Sequence, residues 1–257
     1  MTKPAITLSI VSHGDLENIR KLLKSLAQYE DGKNLQVIIT DNLGENLPAF
    51  DASPWASLLI LRNPKVQGFA HNHNQAFQHA DGEYFCVLNP DILFTQPVFS
   101  VLIQRINEQN ALLAPLIFDA EKILQDSFRK FPTPLELLKR KMPAYRFSPL
   151  PPDEKGLIHP DWIAGMFIFM KGDTYRRLGG FDEKFHLYFE DVDFCARAAR
   201  DLGLPALVDT SLHLQHNAQR ASRSNLRYFL WHVQSAALFF TSDLYRDLRK
   251  KHPKNTL

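Results

Sequence analysis

Only two cysteines occur in the 257 residues, Cys86 and Cys195, far apart and each inside an apolar run. That excludes a disulfide framework and a thiolate metal site, and a reducing cytoplasm is the simplest home for such a chain. Long apolar runs are missing as well, since no stretch approaches the roughly 20 residues a membrane span requires. The opening segment holds a single lysine and a short apolar stretch, which predicts no signal peptide. A strong charge of one sign is also absent: the formal net charge is +2, whereas a nucleic-acid specialist would carry a strongly basic face. Neither G-x-G-x-x-G nor G-x-x-x-x-G-K-[ST] occurs, which removes dinucleotide dehydrogenases and P-loop enzymes. No internal repeat or low-complexity tract is found.

What is present is the profile of a globular chain with a sizeable core, 45% hydrophobic and 23% charged. The length fits one domain, or one domain with an appended helical piece. Apolar periodicity predicts strands over 5–11, 35–40, 58–61 and 84–88, and helices over 16–26 and 70–79. Strands alternating with helices indicate an α/β architecture with a parallel sheet covered on both faces. A helix over 98–107, strands over 112–118, 162–170 and 204–208, a helix over 191–200 and an aromatic amphipathic helix over 225–248 complete the pattern. Proline concentrates between Pro132 and Pro160, and residues 142–158 read as an irregular surface connection.

In open α/β sheets, ligands bind beyond the carboxyl ends of the strands. Ser12, Asp41, Asn63 and Asn89 occupy such positions. Tyr84-Phe85-Cys86-Val87-Leu88-Asn89-Pro90-Asp91 sets a carboxylate directly after a buried strand, as a metal-bound diphosphate requires, although Asn, Pro and Asp also favour turns for purely local reasons. A second cluster runs from Gly179-Gly180-Phe181-Asp182-Glu183 to Glu190-Asp191-Val192-Asp193. Its acids fit the first turn of a helix. Large apolar residues precede Glu190 and Asp191, however, and burial raises a carboxylate toward the range of a useful base. His213 and His216, three residues apart, form a third cluster that could complete a metal site.

The order and context of these clusters resemble GT-A glycosyltransferases of family 2. The matching features are Ser9-Ile10-Val11-Ser12-His13, Asp41-Asn42, Asn63-Pro64 with Gly68-Phe69-Ala70-His71-Asn72-His73-Asn74, Leu88-Asn89-Pro90-Asp91, Trp162-Ile163-Ala164-Gly165, the two acidic segments above, and His216. They span residues 5–240, and Ser127-Phe128-Arg129-Lys130-Phe131-Pro132 with the 220–240 segment is most similar to O-antigen rhamnosyltransferases. The resemblance implies a GT-A, Rossmann-like fold with a mainly parallel central sheet flanked by helices and a C-terminal helical extension. It implies a transferase unit over 1–222, its nucleotide half near 1–118 and its acceptor half near 119–222, followed by a helix and basic tail over 223–257.

By the same resemblance, Ser12, Asp41, Asn42, Gly68, Phe69, Asn72, Asn74 and Asn89 bind the nucleotide. Asp41 contacts the base, where a carboxylate can accept the imide N–H of thymine or uracil. Asp91 and His216 hold a divalent Mg²⁺ or Mn²⁺, with His213 the second choice, because the family histidine precedes a serine and Ser222 follows here. The family's usual Asp-x-Asp has become Asn89-Pro90-Asp91, so one charge is lost and the donor diphosphate is expected to complete the site. Asp191 is the expected general base, Glu190 its partner, and Trp162 and Gly165 acceptor-binding residues.

The implied reaction is inverting transfer of L-rhamnose from dTDP-L-rhamnose to a lipid-linked saccharide in cell-surface polysaccharide synthesis. The C-terminal helix and basic residues Arg246, Arg249, Lys250, Lys251 and Lys254 are read as packing on their own domain, with membrane docking or a homodimer contact as the other uses. A second basic cluster, Lys139, Arg140 and Lys141, is read as a solvated face rather than a lipid contact. A non-catalytic nucleotide-sugar-binding scaffold is the competing class, supported by Asn89. A sugar-phosphate nucleotidyltransferase would need a glycine-rich opening loop, and Ser12-His13-Gly14-Asp15 has one glycine.

Overall fold

The computed structural model describes residues 4–140, 142, 145–217 and 226–251. Lys141, Ser222, Lys254 and the expected boundary at 222/223 lie outside the described residues.

The chain opens as expected with β1 (Ile6–Ser12), α1 (Leu16–Tyr29) and β2 (Leu35–Asp41). Ile19, Leu22, Leu23 and Leu26 recur on one face of α1 and are buried against the sheet, while every residue of β2 is buried. The edge strand β3 (Ser57–Arg62), α2 (Phe69–Phe77) and β4 (Tyr84–Leu88) follow, and the four strands pair in parallel in the order β3-β2-β1-β4. The register aligns Ser12 with Asp41 and Asp41 with Arg62. Ser12, Asp41, Asn63 and Asn89 therefore sit at or just beyond the carboxyl ends of neighbouring strands.

The second half contributes β5 (Ile92–Leu93), α3 (Phe99–Glu108), β6 (Leu112–Phe118), β7 (Phe128–Arg129) and α4 (Pro134–Lys139). Then come β8 (Leu157–Ile158), β9 (Trp162–Ile163), β10 (Phe167–Lys171), α5 (Gly172–Arg177), α6 (Glu190–Asp201), β11 (Ala206–His216), α7 (Leu226–Thr241) and α8 (Asp243–Lys251). The main sheet continues β4-β10-β6-β11-β5, with β8 also on β11. It is α/β and mainly parallel, but not purely so: β10 is antiparallel to both β4 and β6.

Three expected elements differ in extent. The strand over 162–170 is two strands, because the chain turns at 164–166. β9 pairs with β7 in a separate two-stranded sheet, and β10 enters the main sheet. The strand over 204–208 runs on to His216 through a register shift between Asp209 and His213. The single C-terminal helix breaks at Ser242, whose Oγ accepts the Tyr245 N–H at 3.1 Å and so starts α8. The proline-rich connection is largely irregular, as expected, and is tied down at its middle. The buried Arg129 guanidinium is ion-paired with Asp126 and hydrogen-bonded to Tyr145, with the Tyr145 and Phe147 rings 5.3 and 4.8 Å away.

Both cysteines are buried free thiols whose pKa burial pushes up, as a packing role requires. Among the described residues, no helix is long and apolar enough to cross a membrane.

Candidate active site

β4 ends at Leu88 and delivers Asn89-Pro90-Asp91, and the short β5 that follows pairs antiparallel with the far end of β11, with Ile92 opposite His216. That pairing brings two sequence-distant groups together. His216 Nε2 lies 3.1 Å from Asp91 Oδ2, with both side chains mostly buried, and the Asn217 N–H donates to the Asp91 carbonyl oxygen at 2.8 Å. The other carboxylate oxygen, Asp91 Oδ1, is buried with no hydrogen-bond partner. His216 Nδ1 lies 3.1 Å from Gln125 Oε1. His213 is turned elsewhere, because side chains an odd number of residues apart on a strand leave on opposite faces; its Nδ1 receives Gln96 Nε2 at 3.1 Å.

An unpartnered buried carboxylate oxygen beside an imidazole nitrogen fits a divalent cation. No group of three or more His, Cys, Asp or Glu side chains suited to a metal ion occurs among the described residues. Ligand oxygens from elsewhere are therefore needed to complete a shell.

The acidic pair stands at the first turn of α6. Tyr188 and Phe189 precede it with φ of 69° and 68°, two consecutive aromatic residues in the left-handed region. Such conformations persist only where the surroundings over-determine them, and they cluster at functional sites. Here the surroundings are α7. Ser235 Oγ donates to the Leu187 carbonyl at 2.9 Å, and Phe189 packs against His232, Phe239 and Phe240.

The loop so held presents Asp191, whose Oδ2 accepts the Gly165 N–H at 3.0 Å and whose Oδ1 accepts the Val192 N–H at 2.8 Å. Burial raises the Asp191 pKa, while the peptide donors act in the opposite sense. Glu190 is buried with Oε2 unpartnered, and its pKa is pushed well up by burial and then by the Asp191 charge. The surroundings thus divide the pair: they favour the protonated form more strongly at Glu190, whose Oε2 has no partner, than at Asp191, whose two peptide donors support the carboxylate.

Residues 164–166 join the two halves of the site. The Met166 carbonyl accepts the Asn89 N–H at 3.0 Å, Gly165 holds Asp191, and the Ala164 N–H donates to the Ser127 carbonyl at 2.8 Å, two residues beyond Gln125. A side chain at Gly165 would meet Phe69 at 2.8 Å, so the absence of one lets this turn close onto the start of α2.

On the nucleotide side, Asn42, Asn63 and Asn72 form a buried carboxamide chain, with Asn63 Nδ2 donating to Asn42 at 2.8 Å and to Asn72 at 2.6 Å. Asn42 clamps Gln67 from both sides, accepting its N–H and donating to its carbonyl, and so fixes the approach to Gly68. A Cβ at Gly68 would meet the His186 carbonyl at 2.6 Å, and Phe69 N–H donates to that same oxygen. Ser12 Oγ donates to Glu45 at 3.2 Å. Asp41 is fully buried and accepts the N–H groups of Glu45 and Leu47, so it anchors the loop after β2.

Two expected ligand-binding residues are placed otherwise. Asn74 uses all four hydrogen-bonding positions internally, with Phe181, Glu183 and Tyr175, and ties α2 to the Gly179-Gly180 turn. Trp162 is 9% exposed and donates its indole N–H to the Lys130 carbonyl, which makes it a core residue rather than an open sugar platform. Sequence reasoning passed over Gln125, Glu45 and Ser235. Asn63 it noted as a strand-end residue and, with Pro64, as a feature of the family resemblance, without giving it a binding role. No periodicity marks these positions, although Gln125 lies two residues before the Ser127-Phe128-Arg129 segment already singled out.

The sheet order and the site at its carboxyl edge define a GT-A fold of the kind nucleotide-sugar transferases use. The model of the family "Glycosyl transferase family 2" matches residues 7–172, and the chain belongs to that family. It is 29% identical to rhamnosyltransferase WbbL of Escherichia coli (strain K12) over 245 residues, covering 90% of each chain. It is 25% identical over 170 residues to the N-acetylglucosaminyl-diphospho-decaprenol L-rhamnosyltransferase of Mycobacterium tuberculosis, covering 61% of this chain and 54% of the relative. Among solved structures, the mannosyltransferase PcManGT from Pyrobaculum calidifontis in complex with GDP-Man and Mn²⁺ has a TM-score of 0.59 at 17% identity, covering 94% of this chain and 66% of that one. GalNAc-T7 with UDP, GalNAc and Mn²⁺ has a TM-score of 0.62 at 14% identity, and this chain, 87% covered, spans 45% of its length. At such identities these two likenesses show the fold alone.

Proposed function

We propose that this family 2 glycosyltransferase transfers L-rhamnose from dTDP-L-rhamnose to a lipid-linked saccharide, with inversion at the anomeric carbon. The observation that carries the reading is the junction at 164–166, which draws the Asn89–Asp91 turn and the Asp191 carboxylate to one place. The choice of rhamnose and of a lipid-linked acceptor is supported by the relatives, two of which are named as rhamnosyltransferases, one on a diphospho-decaprenol acceptor.

In this reading residues 1–118 hold the nucleotide and 119–222 the acceptor. Asp191 accepts the proton of the acceptor hydroxyl as its oxygen attacks the anomeric carbon, and the electron pair of the breaking C–O bond leaves with the nucleoside diphosphate. Glu190, neutral, keeps a second negative charge away from the base. The carboxamide chain of Asn42, Asn63 and Asn72 holds the Gln67–Gly68 backbone against which the nucleotide lies. Asp91 and His216 would hold Mg²⁺ or Mn²⁺, which when bound supplies positive charge against the diphosphate leaving group.

The test is metal-dependent release of nucleoside diphosphate from a panel of dTDP- and UDP-sugars, with a membrane-lipid extract as acceptor and Asp191→Asn as control. Release confined to dTDP-rhamnose and the wild type is expected. Release from another donor would keep the mechanism and change the sugar, whereas binding without release would favour a non-catalytic scaffold.

A further inference from the structure

The imidazole of His216 has two nitrogens, and only one of them faces Asp91. A neutral imidazole carries a single N–H, so whichever nitrogen holds the proton cannot act as a metal ligand. Proton placement is set by what the other nitrogen meets, and in metal sites a second partner of the ring commonly decides it.

We propose that Gln125 is a positioning residue of the transferase site: its side-chain oxygen holds the proton on His216 Nδ1 and leaves the Nε2 lone pair directed at Asp91 for a divalent cation. This rests on the reading of Asp91 and His216 as metal ligands.

Three features of the structure support the assignment. The contact is of hydrogen-bond length, 3.1 Å from Nδ1 to Oε1, and lies on the ring edge opposite Nε2, itself 3.1 Å from Asp91 Oδ2. Gln125 is fixed from its own backbone, its N–H donating to the Ile117 carbonyl at 2.7 Å and its carbonyl accepting the Ser127 N–H at 2.9 Å. The strands on which the two residues depend also run side by side, since β6 and β11 pair in parallel up to Phe118 opposite Gln215. The hairpin after β6 therefore returns Gln125 to the end of β11, where His216 lies. A carboxamide suits this place because it accepts the proton without adding a negative charge to a site that already holds Asp91.

The experiment uses the full chain and follows free Mn²⁺ by electron paramagnetic resonance as it is titrated in the presence of dTDP. Gln125→Leu, which has no acceptor, is expected to weaken Mn²⁺ about 10- to 100-fold. Gln125→Glu keeps the shape and strengthens the acceptor, and should bind Mn²⁺ at least as tightly as the wild type. In ¹⁵N-histidine spectra with Mg²⁺ and dTDP, the wild type should show His216 protonated at Nδ1, and Gln125→Leu a mixture of tautomers. Wild-type affinity and an unchanged tautomer in Gln125→Leu would overturn the proposal, as would a weakened Gln125→Glu if the leucine protein fails to fold. Should His216→Ala itself leave Mn²⁺ affinity unchanged, the metal-ligand reading fails and the proposal falls with it, an outcome distinguishable from failure at Gln125 alone.

Discussion

Asp191 and Glu190 are adjacent carboxyls with opposite surroundings, and their difference yields two predictions at the residue scale. Asp191 accepts two peptide N–H bonds, an arrangement that supports the ionised form, while Glu190 Oε2 is buried without a partner. In the proposed reaction, exchanging the Asp191 carboxylate for a carboxamide removes the proton acceptor but keeps the shape, so Asp191→Asn should lower kcat about 10²- to 10⁴-fold with little change in donor KM. Because burial raises the Asp191 pKa, the wild-type rate should climb with pH through a limb lying above the ordinary carboxylate range. For Glu190 the consequence is for stability. The unfolded chain loses this proton near the ordinary value of 4.5, while the folded chain retains it to higher pH. Above that value the folded state binds more protons than the unfolded one, so stability falls as pH rises, at up to about 1.4 kcal/mol per pH unit for this group. A neutral amide abolishes the slope. Glu190→Gln should melt close to the wild type below the ordinary value of 4.5, and increasingly higher than the wild type as pH rises past that value, as calorimetry over a pH series would show; parallel curves would mean Glu190 ionises freely in the fold.

At the scale of elements, turns decide where the site residues point, and turns are unevenly legible in sequence. Gly179-Gly180 announces a turn, and both residues have positive φ, 71° and 75°. Their demands nonetheless differ. A Cβ at Gly179 meets nothing within 4 Å, whereas one at Gly180 would lie 2.3 Å from Asn74 Oδ1, an amide that four hydrogen bonds hold in place. Gly179→Ala should therefore cost only the left-handed penalty of about 1–2 kcal/mol. Gly180→Ala adds overpacking of about 1–3 kcal/mol. Urea denaturation midpoints of the two variants would separate these contributions, and equal midpoints would show that Asn74 yields. Tyr188-Phe189 is the opposite case. Large aromatic side chains disfavour positive φ, so nothing local foretells the left-handed pair, and its cause is a helix more than 35 residues away. The division of the strand at 162–170 was marked in sequence by Gly165 alone: apolar residues flank it on both sides while the hydrogen-bond partners change from β7 to β4. His216 was legible as a candidate, but its distinction from His213 needed the strand face and the register of β5 on β11.

For the whole molecule, the strands at the N-terminal half were legible because β1, β2 and β4 are buried on both faces and the half-buried edge strand β3 still carries the unbroken run Leu58–Leu61, and Ser12, Asp41, Asn63 and Asn89 follow from where those runs stop. The role of the C-terminal helices was not, because an aromatic amphipathic helix suits a membrane surface, a partner subunit or its own domain equally well. In the structure Phe239, Leu244, Tyr245 and Leu248 are buried in the same core as the sheet, while Leu230 and Val233 lie exposed on another face of α7. The buried side carries Ser235 and Phe239 onto the strained loop before Asp191, which makes α7 a brace for the proposed base. A brace and an anchor predict different behaviour when the helices are removed. A chain ending at Asn217 that had lost only an anchor would still transfer sugar to a short-chain, water-soluble acceptor analogue, and would fail only on acceptor in vesicles. A chain that had lost a brace would fail on both, because the pair at Tyr188 and Phe189 would relax and carry Asp191 away from Gly165. Failure on both acceptors is expected. Phe239→Ala, which leaves the exposed face of α7 unaltered, should reproduce it in milder form, losing about 3–5 kcal/mol of stability and lowering kcat on the soluble acceptor. Retained transfer to the soluble acceptor by the shortened chain would show that the loop holds its conformation unaided.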